Sequence, residues 1–148
     1  MQFNQLLYLS FFLVLTACVN NQSIRAVEHH GLPTPIGPYN HSVQYDQLIF
    51  VSGQLGIDPK TAHLQDGVEN QTRQIFKNLM AILKDNQSDL SHVTKTTIFL
   101  QNLKDYQQVN KIYGSYFKPP FPARSTIQVS ALPADALIEI ECTAVKAR

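Results

Sequence analysis

Cysteine is scarce in this chain: Cys18 and Cys142 are the only two, and they stand in no zinc-type Cys/His spacing, so neither a disulfide scaffold nor a structural zinc site is legible. Charge of one sign is also in short supply. Twelve Lys and Arg against 11 Asp and Glu leave a net charge of +1, too weak a field to select nucleic acid or an anionic membrane surface. The apolar run at residues 6–17 falls short of the roughly 20 residues that a membrane-spanning helix needs. No internal repeat, low-complexity tract, P-loop, GxGxxG or GxSxG motif is present, which removes the usual signatures of nucleotide binding and of a serine nucleophile. No metal or cofactor signature remains.

What is present begins with that apolar run. It fits the h-region of a signal peptide and ends in Leu15-Thr16-Ala17-Cys18, a string that resembles a bacterial lipobox, although no Lys or Arg precedes it. Residues 1–17 are therefore expected to be a lipoprotein-type signal peptide with Cys18 as the lipidated residue, residues 18–34 a polar tether, and residues 35–148 the folded domain. This implies a periplasmic, membrane-anchored protein; a cytoplasmic one is the alternative if the segment is not a functional signal. With 148 residues and 44% hydrophobic content, the chain sustains a single domain with its own core.

Alternation over residues 42–51, broken by Asp46-Gln47, predicts a hairpin ending at Ser52-Gly53. Val68, Thr72, Ile75, Phe76, Leu79, Ile82 and Leu83 recur at helical spacing and predict a helix over 67–86 with Asp66 as N-cap. Residues 93–100 read as a β-branched strand, and Asn102 with Asp105 three positions on predicts a capped helix over 103–117, stopped by Pro119-Pro120. Two further strands, 125–130 and 137–145, flank the turn-prone residues 131–136, and Cys142 falls on the apolar side of the second strand. The order β-β-α-β-α-β-β predicts an α+β two-layer sandwich, one sheet with both helices on one face. If the last two strands form a hairpin with Ser130 opposite Leu137, Thr126 lies opposite Glu141 and Gln128 opposite Glu139, so that Arg124, Thr126, Glu139 and Glu141 share one polar face.

On alternation alone that polar face is simply a wet sheet face. A set of strings in fixed order adds to it: Ile36-Gly37-Pro38-Tyr39, Phe50-Val51-Ser52-Gly53-Gln54, Asp58-Pro59-Lys60-Thr61, Lys95-Thr96-Thr97, Val109-Asn110, Tyr113, Pro122-Ala123-Arg124-Ser125-Thr126 and Ile138-Glu139-Ile140-Glu141. Over residues 35–146 the chain resembles the RidA (YjgF) family of imine deaminases. The resemblance implies a chorismate-mutase-like fold with a mixed sheet, a homotrimer formed through the open sheet face, intersubunit sites, and cofactor-independent hydrolysis of 2-imino and 2-enamino acids to 2-keto acids and ammonia. It implies that Arg124 grips the substrate carboxylate and that Glu139 activates water, with Glu141 raising its pKa by like-charge repulsion. Tyr39, Ser52, Gly53, Asn110 and Thr126 are implied to line the pocket, Thr126 standing where some members carry cysteine. The competing reading from another class is a non-catalytic trimer that binds small carboxylates or a protein partner; it would keep Arg124 and tolerate loss of Glu139.

Overall fold

A computed structural model describes residues 23–147 except 33, 34 and 36, so the expected signal peptide and Cys18 lie outside the described residues. Two strand stubs, β1 (Arg25–Ala26) and β2 (Ser42–Tyr45), lead into β3 (Leu48–Leu55) and helix α1 (Gly67–Asp85). Strand β4 (Val93–Leu100), helix α2 (Tyr106–Tyr116), β5 (Ala123–Gln128) and β6 (Ile138–Val145) follow. They form one mixed sheet in the order β1-β2-β3-β6-β4-β5, antiparallel throughout except for the parallel pair β4/β5. Both helices cover the same sheet face. Ile138, Ile140, Cys142 and Ala144 of β6 are buried with Ile75, Phe76 and Leu79 of α1 and with Val109 and Tyr113 of α2. Phe76 anchors this layer, stacked on Tyr116 at 4.2 Å and edge-on to Tyr113 and Phe117 at 5.8 Å, contacts that contribute about 0.5–1.5 kcal/mol each beyond area burial. Cys142 is a buried free thiol whose pKa burial pushes up to about 12, so it packs rather than reacts.

Three expectations are corrected. The first concerns β5 and β6, which do not pair as a hairpin. A strand–helix–strand crossover lays β5 parallel to β4, and the chain then passes the end of β4 to insert β6 between β3 and β4. Both ends of that passage are pinned to the end of β4: Val129 N donates to Leu100 O at 2.9 Å and Gln101 N to Leu137 O at 3.0 Å. The register follows. Arg124 pairs with Thr96, which pairs with Cys142, whereas Glu141 pairs with Thr97 and Glu139 with Phe99. Because alternate residues of β4 point to opposite faces, the row Arg124, Thr126, Gln128 lies on the helix side and the row Glu139, Glu141 on the open side. Thr126 is aligned with Ile98 and Ile140, not with Glu141.

The second is the tether, much of which is built into the fold. β1 pairs with β2, and the His29 ring, 2% exposed, ties α1 to β2. His29 Nδ1 donates to Asp85 Oδ2 at 3.1 Å, and Nε2 accepts from Ser42 Oγ at 2.8 Å. Burial holds this imidazole below its ordinary pKa, favouring the neutral ring that the Ser42 bond requires. The distances match those of a Ser-His-Asp nucleophile, but Ser42 is 1% exposed and already accepts from Asn86 Nδ2, so the set is a clasp. The third concerns helix caps. Asp66 occupies the N-cap position of α1 without a side-chain capping bond, and Gly67 enters with φ +74°, a conformation that glycine adopts without strain. Asn102 caps a short 3-10 turn, Leu103–Asp105, by accepting from Lys104 N at 3.0 Å, and α2 proper starts after it.

Two buried amides of α1 set the strands that carry the site. Gln71 accepts from Leu137 N at 2.8 Å, fixing the start of β6, and donates to Gln65 O. Asn78 donates to Leu55 O and Ile57 O, fixing the chain as it leaves β3.

Candidate active site

The residues expected to form one pocket divide between two recesses on this chain. The first lies where α2 faces β5. It has a volume of about 370 Å³ and is lined by Asn110, Tyr113, Gly114, Phe121, Pro122 and Arg124. Tyr106, Asn110 and Tyr113 are spaced four and three apart, so they share one helix face, and the crossover turns that face toward β5. Arg124 Nη2 donates to Asn110 Oδ1 at 2.8 Å and to Tyr106 OH at 3.1 Å, and the guanidinium lies 4.6 Å from the Tyr113 ring centroid. Tyr113 is held in turn by a 2.9 Å bond with Thr96 Oγ1, and burial raises its pKa, which keeps the phenol protonated. All of these partners are neutral. Among the described residues no carboxylate pairs with Arg124, which leaves a fixed, oriented cation that is not charge-compensated.

The second recess opens beside β3 and β6. It is a cavity of about 420 Å³ whose walls include Tyr39, His41, Ser52, Gly53 and Glu139. Its geometry turns on Gly53, which sits at the register shift between β3 and β6. A Cβ at this position would lie 2.6 Å from Glu139 Cδ and closer still to its carboxylate, so only glycine lets the Glu139 side chain lie across the strand. Ser52 is fastened to the preceding loop on both sides, Oγ donating to Asn40 O at 2.7 Å and N to His41 O at 3.0 Å. That places Tyr39, 46% exposed, at the rim. The Glu139 carboxyl is raised above the ordinary range chiefly by burial and secondarily by Glu141. The expected direction is right and the expected leading cause is corrected: the cavity wall removes water from Glu139 more effectively than its neighbour repels it.

Gly53→Ala is expected to lower kcat about 10- to 100-fold, the scale on which roughly 1 Å of misplacement acts, while circular dichroism shows the fold retained. Unchanged turnover in this variant would show that the position of Glu139 does not matter to the reaction.

Arg124 and Asn110 thus stand in one recess and Tyr39, Ser52, Gly53 and Glu139 in the other, on opposite faces of the sheet; Thr126 lines neither. Tyr106 and His41 were not singled out from the sequence, and Tyr113 was named there only among the ordered strings, with no role assigned to it. The i, i+4, i+7 spacing of Tyr106, Asn110 and Tyr113 was the available signal, but which strand that face meets depends on the crossover. Among the described residues no group of His, Cys, Asp or Glu is arranged to hold a metal ion.

Comparison with known proteins agrees with this geometry. The family model described as Endoribonuclease L-PSP matches residues 30–146. Reactive Intermediate Deaminase A of Arabidopsis thaliana, a chloroplastic protein, is 44% identical over 134 residues, covering 90% of this chain and 72% of that protein. The 2-iminobutanoate/2-iminopropanoate deaminase of Homo sapiens is 42% identical over 123 residues, covering 82% of this chain and 90% of that one. Among solved structures, RidA from an Antarctic Psychrobacter superimposes with a TM-score of 0.79 at 32% identity, covering 82% and 98% of the two chains. The Escherichia coli YjgF gene product gives 0.78 at 36% identity, covering 83% and 99%.

Proposed function

This chain belongs to the RidA/YjgF/L-PSP family, and on that footing we propose that it is a reactive-intermediate deaminase, hydrolysing 2-iminoalkanoates to 2-keto acids and ammonia. The observation that carries the reading on this chain is the Arg124 guanidinium, oriented by two neutral oxygens and a ring and lacking a carboxylate of its own. A planar fork in that state is suited to a substrate carboxylate held by paired N–H···O bonds. Glu139 supplies the second requirement. Its raised pKa makes it a better base than an ordinary carboxylate, able to take a proton from water as the oxygen adds to the imine carbon. From the protonated imine this gives the neutral carbinolamine, which collapses when the proton on Glu139 passes to nitrogen: the C–N bond breaks, ammonia leaves, and the hydroxyl proton returns to the Glu139 carboxylate as the carbonyl forms. Imines hydrolyse unaided, so positioning together with general-base help of about 10²–10⁴-fold is sufficient.

Arg124 and Glu139 serve one substrate only if they come from different copies. We place the complete site between subunits of a trimer, with Arg124 and Asn110 from one and Glu139, Gly53, Ser52 and Tyr39 from the next. The open sheet face supports this. Phe50, 44% exposed, and Ile127, 47% exposed, lie on the side that no helix covers, an arrangement that favours burial against another copy. Mixed assemblies test the arrangement. Arg124→Ala and Glu139→Gln chains, each inactive alone, are combined at equal amounts by co-expression or by unfolding and refolding together. Random assembly then pairs an intact Arg124 with an intact Glu139 in about one quarter of the sites, and activity returns to about one quarter of wild type. Mixtures no more active than either parent would place both groups in one subunit's site and overturn the intersubunit arrangement.

The name of the matching family model raises RNA as a substrate. The net charge of +1 and the lack of an aromatic-basic stripe in the sequence do not supply the electrostatic footprint that RNA binding uses.

A further inference from the structure

The polar side chains that join the N-terminal segment to the rest of the fold form one continuous chain of hydrogen bonds. Arg25 Nη2 donates to Gln44 Oε1 at 2.9 Å, Gln44 Nε2 to Asn86 Oδ1 at 2.9 Å, and Asn86 Nδ2 to Ser42 Oγ at 2.8 Å. Ser42 Oγ donates in turn to His29 Nε2, and His29 Nδ1 to Asp85 Oδ2. The chain therefore leaves the segment at Arg25 and returns to it at His29 before ending on α1. Its middle members, Ser42, Gln44 and Asn86, are buried, so water does not replace a lost partner there.

Only one direction of donation satisfies all six groups. Arginine can only donate, so the Gln44 oxygen faces it and the Gln44 nitrogen faces Asn86. Asn86 then presents its oxygen to Gln44, while its nitrogen serves Ser42 and Ile82 O, which leaves the Ser42 proton for His29. At the far end the Asp85 carboxylate only accepts, so the proton of the neutral imidazole is on Nδ1. A second proton, on Nε2, points at an oxygen that already accepts from Asn86, and the Ser42 proton loses its acceptor. Leaving one buried group unsatisfied in this way weakens docking of the segment by a factor of about five to 100.

Three titratable groups face the ring: Asp85 of α1, His41 of the loop entering β2, 6.0 Å away between ring centroids, and His30 of its own segment. Ser42 and Gln44 of β2 are neutral, and Arg25 of β1 is the remaining charge joined to the network. The two histidines, when charged, repel a proton on His29. Asp85 attracts one, but its side chain is 30% exposed and screened by water, whereas the His29 ring is 2% exposed and has lost its hydration. Burial prevails over the carboxylate.

We propose that this network is a proton-operated latch: residues 25–32 stay docked against β2 and α1 while His29 is neutral and are released when it takes up a proton. The released segment carries an ordinary histidine and binds the proton more readily, so docking is fully favoured above a pH of about 6.5 and weakens as pH falls from there. Leu32, in this segment, packs on the core and lines the Glu139 recess, so release removes one wall of that recess. An effect on turnover rests on the deaminase reading; the latch itself does not.

Hydrogen exchange of the peptide spanning residues 24–32, followed by mass spectrometry and corrected for the intrinsic effect of pH, reads docking in the purified full chain, and NMR reads the His29 ring. Between about pH 7.5 and pH 5, protection of this peptide is expected to fall at least about fivefold while residues 75–83 of α1 stay protected. Asp85→Asn keeps an acceptor for Nδ1 but removes the charge that attracts a proton to the ring, so the loss should deepen. His29→Gln does not titrate, and its peptide should be equally protected at both pH values. Constant protection of the wild-type peptide over this range, a His29 ring that titrates above the ordinary histidine value, or pH-dependent protection that persists in His29→Gln each overturns the latch. None of these readouts uses turnover, so failure of the deaminase reading leaves the test intact.

Discussion

Arg124→Ala will lower kcat/KM for imine hydrolysis by about 10²–10³-fold, because it removes the only cation among the described residues that line the α2/β5 recess, and truncating one partner of a hydrogen-bonded charge pair costs about 2–5 kcal/mol. The loss should appear in both KM and kcat, since the same contact binds the carboxylate and orients the imine carbon. Arg124→Lys keeps the charge but not the fork that Asn110 and Tyr106 orient, and it should recover only a minor part. The fold should survive. Arg124 is on an edge strand, and its side-chain hydrogen bonds go to other side chains, not to backbone. Steady-state kinetics with in situ generated imines, alongside thermal melts, distinguish these effects; an Arg124→Ala protein with wild-type kcat/KM would remove the carboxylate anchor from the mechanism.

Glu139→Gln has a different signature. Its kcat should fall by about 10²–10⁴-fold with KM little changed, because an amide of the same shape still lies across Gly53 but cannot take a proton from water. In the wild type, the working form is the carboxylate, so activity should fall as pH drops through the raised Glu139 pKa, at higher pH than an unperturbed glutamate would give. That limb should be missing from the residual activity of the variant. Stability moves the other way. A carboxyl whose folded pKa lies above its unfolded value stabilises the fold when protonated and loses that contribution as pH rises from the ordinary range through the folded pKa. At neutral pH the wild type therefore bears a destabilising charge that glutamine removes, and Glu139→Gln should melt no lower than wild type. Retained kcat in this variant would remove Glu139 as the base, whereas a wild-type protein that binds small carboxylates without accelerating imine hydrolysis would favour the non-catalytic reading.

Much of the fold was legible because it rests on local periodicity. The stripe from Val68 to Leu83, the β-branched run of β4, the Ile/Glu alternation of β6 and the stop at Pro119-Pro120 each reflect a side-chain period or a missing N–H that acts within a few residues. The two faces of β6 could be assigned for the same reason. The pairing of β5 could not. Nine residues separate Gln128 from Ile138, a stretch that serves a hairpin as readily as a passage across β4, and nothing within it records that β4 already occupies the intervening place. The short segment around His29 was misread for a related cause, since its partners Ser42 and Asp85 are distant in sequence and polar composition alone suggests a tether.

Residues for the proposed site could be named from the sequence, but their spatial arrangement could not. Arg124, Glu139, Gly53, Asn110 and Tyr39 could be named from ordered strings, and geometry gives each of them a physical task. Sequence alone determined the layer architecture, the helix and strand periods and the chemical types available for reaction, because those depend on residue type and spacing along the chain. Only the tertiary structure decided that Arg124 and Glu139 point to opposite faces and that burial raises Glu139 more than Glu141 does. The same holds for the hydrogen-bond network that joins Arg25 to Asp85 through His29. All three depend on which strand lies beside which and on how much water the resulting walls exclude, quantities set by contacts between residues far apart in the chain.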